Sequence, residues 1–193
     1  NTIGLIVADI SNPFFASIAR AVEDESGKYG LTTIIGSSDE STEKLKNLVE
    51  VFIKRQVDGF IISPPDHSEE IIEYIISLGI PICLIDRHFD HVNSSYVVTD
   101  NKESMQNAVS HLLGMGYKNL AFIAYNSTLQ HMKDREQGFL DTTSEIYSQV
   151  YKINFSKQHD ELASTIEVIL NEQKADAIVF ATNTLSVAGL KYL

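Results

Sequence analysis

The sequence predicts an α/β fold of two doubly wound parallel-sheet lobes. Three observations lead there. Short runs of branched apolar residues alternate along the chain with amphipathic helical patterns. Those runs are apolar throughout, as in parallel sheets covered by helices on both faces. The rhythm breaks once, in the polar stretch 86–95, which holds no helix long enough to cross a sheet. The break divides the chain into an N-terminal lobe, 1–99, and a C-terminal lobe, 100–193.

Each element has its own local reason. Ile3–Ala8 is too short for a helix and rich in branched residues, so it reads as a strand. Asn12 then suits an N-cap, and Pro13 the first helical position, where a missing N–H costs nothing. Phe14, Phe15, Ile18, Ala19 and Val22 follow at helical spacing. Further strands are expected at Thr32–Gly36, Gly59–Ser63, Ile82–Ile85 and Tyr96–Thr99, the last an edge strand before passage into the second lobe. The second lobe should hold strands Leu120–Tyr125, Val150–Ile153 and Ala177–Ala181. Helical stripes fill most gaps. Leu45, Leu48, Val49, Phe52 and Ile53 follow the polar start Ser41-Thr42-Glu43. Ile71, Ile72, Ile75 and Ile76 are closed by Gly79 and Pro81. Met105, Ala108, Val109, Leu112 and Leu113 are closed by Gly114, and Ile166, Ile169 and Leu170 mark another helix. Thr184–Leu193 reads as one helix without a closing cap. With three strands and an unpaired parallel edge, the second lobe is expected to be incomplete, part of a longer protein.

Composition narrows the function. Apolar content of 44% and charged content of 21% fit a globular protein. A formal net charge of −11 with no basic run disfavours nucleic-acid binding by these residues. No apolar run approaches the ~20 residues that span a bilayer, and the first residues lack the basic start of a signal peptide. The single cysteine, Cys83, lies in the apolar run Ile80–Ile85 and reads as an inert core thiol, in keeping with a reducing compartment. Enzyme signatures are missing: the chain has no G-x-S-x-G, H-E-x-x-H, Walker loop or C-x-x-C.

Candidate ligand-binding residues cluster at strand ends and helix starts, where open parallel sheets hold ligands. They are Asn12, Phe15, Asp86, Asp100, Arg135, Phe155 and Asn183. A phenylalanine at such a mouth packs on a sugar face or base, or simply fills the core; Phe15 is open to both, Phe14 less so. Asp9, Asp86 and Asp100 follow strands and suit sugar hydroxyls, a metal, acid–base work or turn capping. No ligand-spaced His/Cys/Glu group accompanies them, so no metal site is expected. The Arg135 guanidinium, near a helix start, can bridge vicinal hydroxyls or a carboxylate, or pair with Asp134 or Glu136 at the surface. Phe155 can stack on a ligand or cover the core. Asn183 is an N-cap or an amide offered to a ligand.

In order, several segments resemble the effector-binding core of LacI/GalR-type bacterial transcription regulators. The opening Ile3–Val7 with Asp9-Ile10-Ser11-Asn12-Pro13-Phe14-Phe15 is similar to the start of that core. So are Arg55-Gln56-Val57-Asp58-Gly59-Phe60-Ile61-Ile62, Gly79-Ile80-Pro81 leading to Ile85-Asp86-Arg87, and His111-Leu112-Leu113 with Gly116 to Ile123. Arg135-Glu136-Gln137-Gly138-Phe139 matches "R-x-x-G-F", and Ala177 to Asn183 resembles "A-I-F-A-x-N-D". The chain departs at Thr184, where the family usually has Asp, and at 126–131, which lacks the usual Gly-Pro turn. The resemblance implies two periplasmic-binding-protein-like lobes with a sugar or nucleobase effector in the cleft. It implies contacts at Phe15, Asp86, Arg135, Phe155 and Asn183, with Asp100 near the lobe crossing. It further implies a cytoplasmic homodimer that reaches operator DNA through a helix-turn-helix region not in these residues, with no cofactor, no membrane contact and no enzymatic step.

Two other readings compete. An exported, monomeric sugar-binding protein of a transport system would share the architecture. An α/β enzyme would use Asp9, Asp86 or Asp100 in metal-assisted or phosphoryl chemistry.

Overall fold

The computed structural model describes residues 1–193, except for the side chains of Gln158 and His159. Two compact units divide the chain, Asn1–Thr99 and Asp100–Leu193.

The first unit is a five-stranded, wholly parallel sheet in the order β2-β1-β3-β4-β5. Its strands are β1 (Thr2–Val7), β2 (Thr32–Ser37), β3 (Gly59–Ile62), β4 (Ile82–Ile85) and β5 (Ser95–Val97). Between the first four run α1 (Pro13–Lys28), α2 (Thr42–Lys54) and α3 (Glu69–Ser77). The period-2 geometry of β1 sends alternate side chains to opposite helices. Leu5 and Val7 pack with Phe15 and Ala19 of α1. Gly4 faces Phe52 of α2, whose ring stacks on Phe60 at 6.3 Å. Both faces are therefore covered, and Leu5, Ile6, Val7 and Ala8 are fully buried. As expected, β5 lies at the sheet edge and no helix separates it from β4.

The second unit repeats the plan on three strands, parallel and ordered β7-β6-β8. These are β6 (Asn119–Tyr125), β7 (Tyr147–Ile153) and β8 (Ala177–Phe180), with α4 (Asn101–Gly114), α5 (Gln130–Thr142), α6 (Gln158–Val168) and α7 (Asn183–Gly189). Leu120, Phe122 and Ala124 of β6 meet Met105 and Val109 of α4 and Met132 and Phe139 of α5. Ala121 and Ile123 meet Leu162, Ile166 and Leu185 on the other face. Gly138 of α5 lets that helix lie directly on α4: a Cβ there would stand 2.5 Å from the Lys102 carbonyl oxygen.

The parallel α/β class and all eight strands agree with the sequence reading; several boundaries move. β7 begins at Tyr147, not Val150, because its first turns alternate exposed and half-buried residues instead of forming an apolar run. Gly114 stays helical, and the chain turns at Gly116, where φ is +95°, a region glycine enters without steric cost. The last helix spans only Asn183–Gly189. Cys83 is half-buried, and burial raises its thiol above the ordinary value.

Candidate functional site

In each unit the polar loops gather in a rim where the parallel strands end.

In the first unit, the turn after β1 is built by its own side chains. Asp9 accepts from the Ser11 N–H (2.8 Å) and hydroxyl (2.7 Å). Asn12 caps α1 by accepting from the Phe14 N–H at 3.1 Å, with Pro13 first in the helix, as the sequence predicts. Phe15 turns inward and is 4% exposed among Leu5, Val7, Ala8 and Ala19. Phe14, 43% exposed, stands edge-on to it at 5.1 Å and is the open ring of the pair.

The centre of this rim is an ion pair that the sequence reading missed. Arg87, just beyond β4, gives both terminal nitrogens to the two Glu40 oxygens, each at 2.6 Å. The same guanidinium donates to the Pro64 carbonyl (3.3 Å) and, through Nε, to Asp86 (3.3 Å). Its side chain is 10% exposed and that of Glu40 24%. Burial disfavours the cation, but the Glu40 and Asp86 carboxylates outweigh that and hold Arg87 above its ordinary pKa. Glu40 and Asp86 both adopt left-handed backbone, at φ +57° and +64°. Such conformations persist in non-glycine residues only where surrounding contacts hold them. No sequence rule pairs positions 47 apart, so neither partner stood out beforehand.

In the second unit, Arg135 is half-buried midway along α5, not at a helix start as expected, because α5 begins at Gln130. Its Nε donates to the Asn101 side chain and its Nη1 to the Ala181 carbonyl, both at 2.8 Å. Arg135 thus ties α4 and the end of β8 to α5. Asn101, 4% exposed, is a positioning partner that sequence gave no reason to select. Asp100 caps α4 through the Glu103 N–H at 3.0 Å. Asn183 is not the cap of α7. Thr182 fills that role, accepting from the Leu185 N–H at 3.2 Å. A β-region threonine one residue earlier satisfies the same donors, leaving Asn183 exposed in the first turn. Phe155 is 49% exposed after β7, edge-on to Tyr125 at 5.2 Å.

The loop carrying Phe155 is fastened by Glu161, which accepts from the Asn154 backbone N–H (2.7 Å) and its side-chain amide (3.1 Å). These bonds, the backbone one first, hold the Glu161 carboxyl below its ordinary value. A depressed folded-state pKa means the fastening is complete above the unfolded value and is lost as pH falls through the folded one. Acidification below the usual carboxylate range is therefore expected to lower the protection factor of the Asn154 amide, the slowing of its exchange relative to an unstructured chain at the same pH, and Glu161→Gln to flatten that response. An Asn154 protection factor that stays constant across the titration would contradict it.

Among the described residues, no group of three or more His, Cys, Asp and Glu side chains stands ready to hold a metal. No helix among them is long and apolar enough to cross a membrane.

Two parallel α/β units in series, each ending its strands in a rim of hydrogen-bonding side chains, define a two-unit parallel α/β protein. Residues 1–148 match the family described as periplasmic binding proteins and the sugar-binding domain of the LacI family. The chain belongs to that family. It is 30% identical over 187 residues to the ribose operon repressor of Halalkalibacterium halodurans, covering 97% of this chain and 55% of that protein. It is 28% identical over 192 residues to catabolite control protein A of Priestia megaterium, covering 96% and 58%. The chain thus spans little more than half the length of these relatives. In fold it is similar to the Cra transcriptional dual regulator of Pseudomonas putida, solved in complex with fructose 1-phosphate. There the TM-score is 0.88 at 20% identity, covering 99% of this chain and 72% of that one. The resemblance drawn from the sequence motifs is borne out.

Proposed function

We propose that these residues form the effector-binding core of a LacI-type transcription regulator, taking a sugar or sugar phosphate as effector. The observation that carries this reading is the family match over residues 1–148, which includes the Arg135-x-x-Gly138-Phe139 segment. Arg135 is the best-supported contact. Two fixed acceptors orient its planar fork, the geometry for gripping vicinal hydroxyls or a phosphate. Asn12, Asp86, Asp100, Phe155 and Asn183 complete the proposed contact set, with the exposed Phe14 in place of Phe15, whose ring is buried in the core. The effector changes the balance between conformations, and its affinity is reciprocally linked to that for operator DNA. The regulator acts as a cytoplasmic homodimer through a DNA-binding region outside these residues, without catalysing a reaction.

Calorimetry on the full-length protein with pentoses, hexoses, their phosphates and nucleosides tests the proposal. At least one sugar or sugar phosphate is expected to bind and to change operator affinity. Arg135→Ala should weaken that binding at least tenfold, about 1.4 kcal/mol. Silence across the whole panel refutes the reading. Sugar binding by an exported protein that ignores DNA would instead support the transport alternative.

A further inference from the structure

We propose that Glu40 is a positioning residue for the first unit's rim, acting through Arg87 to set the Asp86 carboxylate and the loop after β3. The proposal rests on the effector-binding reading above. The Glu40 side chain acts on Asp86 through the guanidinium.

The Glu40 N–H donates to the Ala8 carbonyl at 3.2 Å, which fixes the loop after β2 to the end of β1. Its carboxylate takes both arms of the Arg87 fork. Arg87 in turn holds the Pro64 carbonyl beyond β3 and the Asp86 side chain beyond β4. The Asp86 N–H reaches the Val97 carbonyl of β5 at 2.9 Å. The ion pair links the loops after β2, β3 and β4, and the backbone bonds of Glu40 and Asp86 extend that link to the ends of β1 and β5. A bidentate pair fixes orientation as well as distance, so losing one oxygen acceptor frees the guanidinium to rotate. Rotation withdraws the Nε–H from Asp86, whose left-handed backbone then has fewer contacts to hold it. A surface ion pair would not have this reach, because solvent screens it and the partners swing.

The test uses the full-length protein and Glu40→Gln, which keeps the shape and removes the charge, with Arg87→Lys as a second variant that keeps the charge and loses the fork. Two readouts are taken. The first is amide exchange without sugar: Asp86 should exchange at least tenfold faster in both variants, while β1 and β3 amides keep their rates. The second is calorimetry with D-ribose and fructose 1-phosphate, where any probe that binds the wild type should bind the variants at least tenfold more weakly. Unchanged Asp86 exchange overturns the proposal whichever sugar binds. So does a lowered melting temperature with unchanged affinity for a binding sugar, the signature of a brace alone. If neither probe binds the wild type, these two sugars are lost to the effector reading. The positioning of Asp86 is then decided by the exchange data.

Discussion

Gly138→Ala is expected to destabilise the second unit by about 2–3 kcal/mol, the upper part of the range for overpacking a close-packed interior. The added Cβ would lie 2.5 Å from the Lys102 carbonyl oxygen and 3.1 Å from the Met105 Cβ. The first of these is backbone and cannot rotate away. Helices α4 and α5 must part, and the 2.8 Å bond from Arg135 to Asn101 spans that crossing. The substitution should therefore loosen Arg135 as well as the core. Urea unfolding followed by a second-unit probe, such as α5 amide exchange, reads the cost without assuming that both units unfold together. A change below about 0.5 kcal/mol would show that the helices do not approach this closely.

Arg87→Met should cost about 3 kcal/mol in the first unit. Removing one partner of a buried ion pair leaves the other carboxylate poorly solvated, an effect of ~3–5 kcal/mol when burial is deep. The lower end applies because Glu40 is 24% exposed. Asp86 and the Pro64 carbonyl lose the hydrogen bonds from Arg87 in the same step. The double variant Glu40→Gln/Arg87→Met removes both charges and should recover part of the loss. Strict additivity of the two single changes in a double-mutant cycle would contradict direct coupling.

What was legible in the sequence was what local physics dictates. Ile3–Ala8 and Leu120–Tyr125 are buried on both faces, so their apolar runs announced strands. Asn12-Pro13 announced a helix start because capping involves only neighbouring residues. Ser41 did the same for α2, accepting from the Lys44 N–H at 3.2 Å. The candidate site residues were chosen as a set because strand ends and helix starts are privileged positions in parallel sheets. Their individual roles were less visible. Which of Phe14 and Phe15 points inward depends on how α1 is rotated against the sheet, and adjacent aromatics fit a helical stripe equally well. The partners of Arg135 lie 34 and 46 residues away and those of Arg87 up to 47 away, so only tertiary structure brings them together. Thr182 displaced Asn183 as cap because both residue types satisfy the same donors and sit side by side.

The strand orders β2-β1-β3-β4-β5 and β7-β6-β8 have a consequence for biosynthesis. Every ladder closes within Asn1–Thr99 or within Asp100–Leu193. The leading half can complete its hydrogen bonding on the ribosome before the trailing half has been translated, since domains generally fold as units, the N-terminal one first. A nascent chain arrested far enough past Thr99 for that residue to clear the exit tunnel is expected to resist protease over Asn1–Thr99.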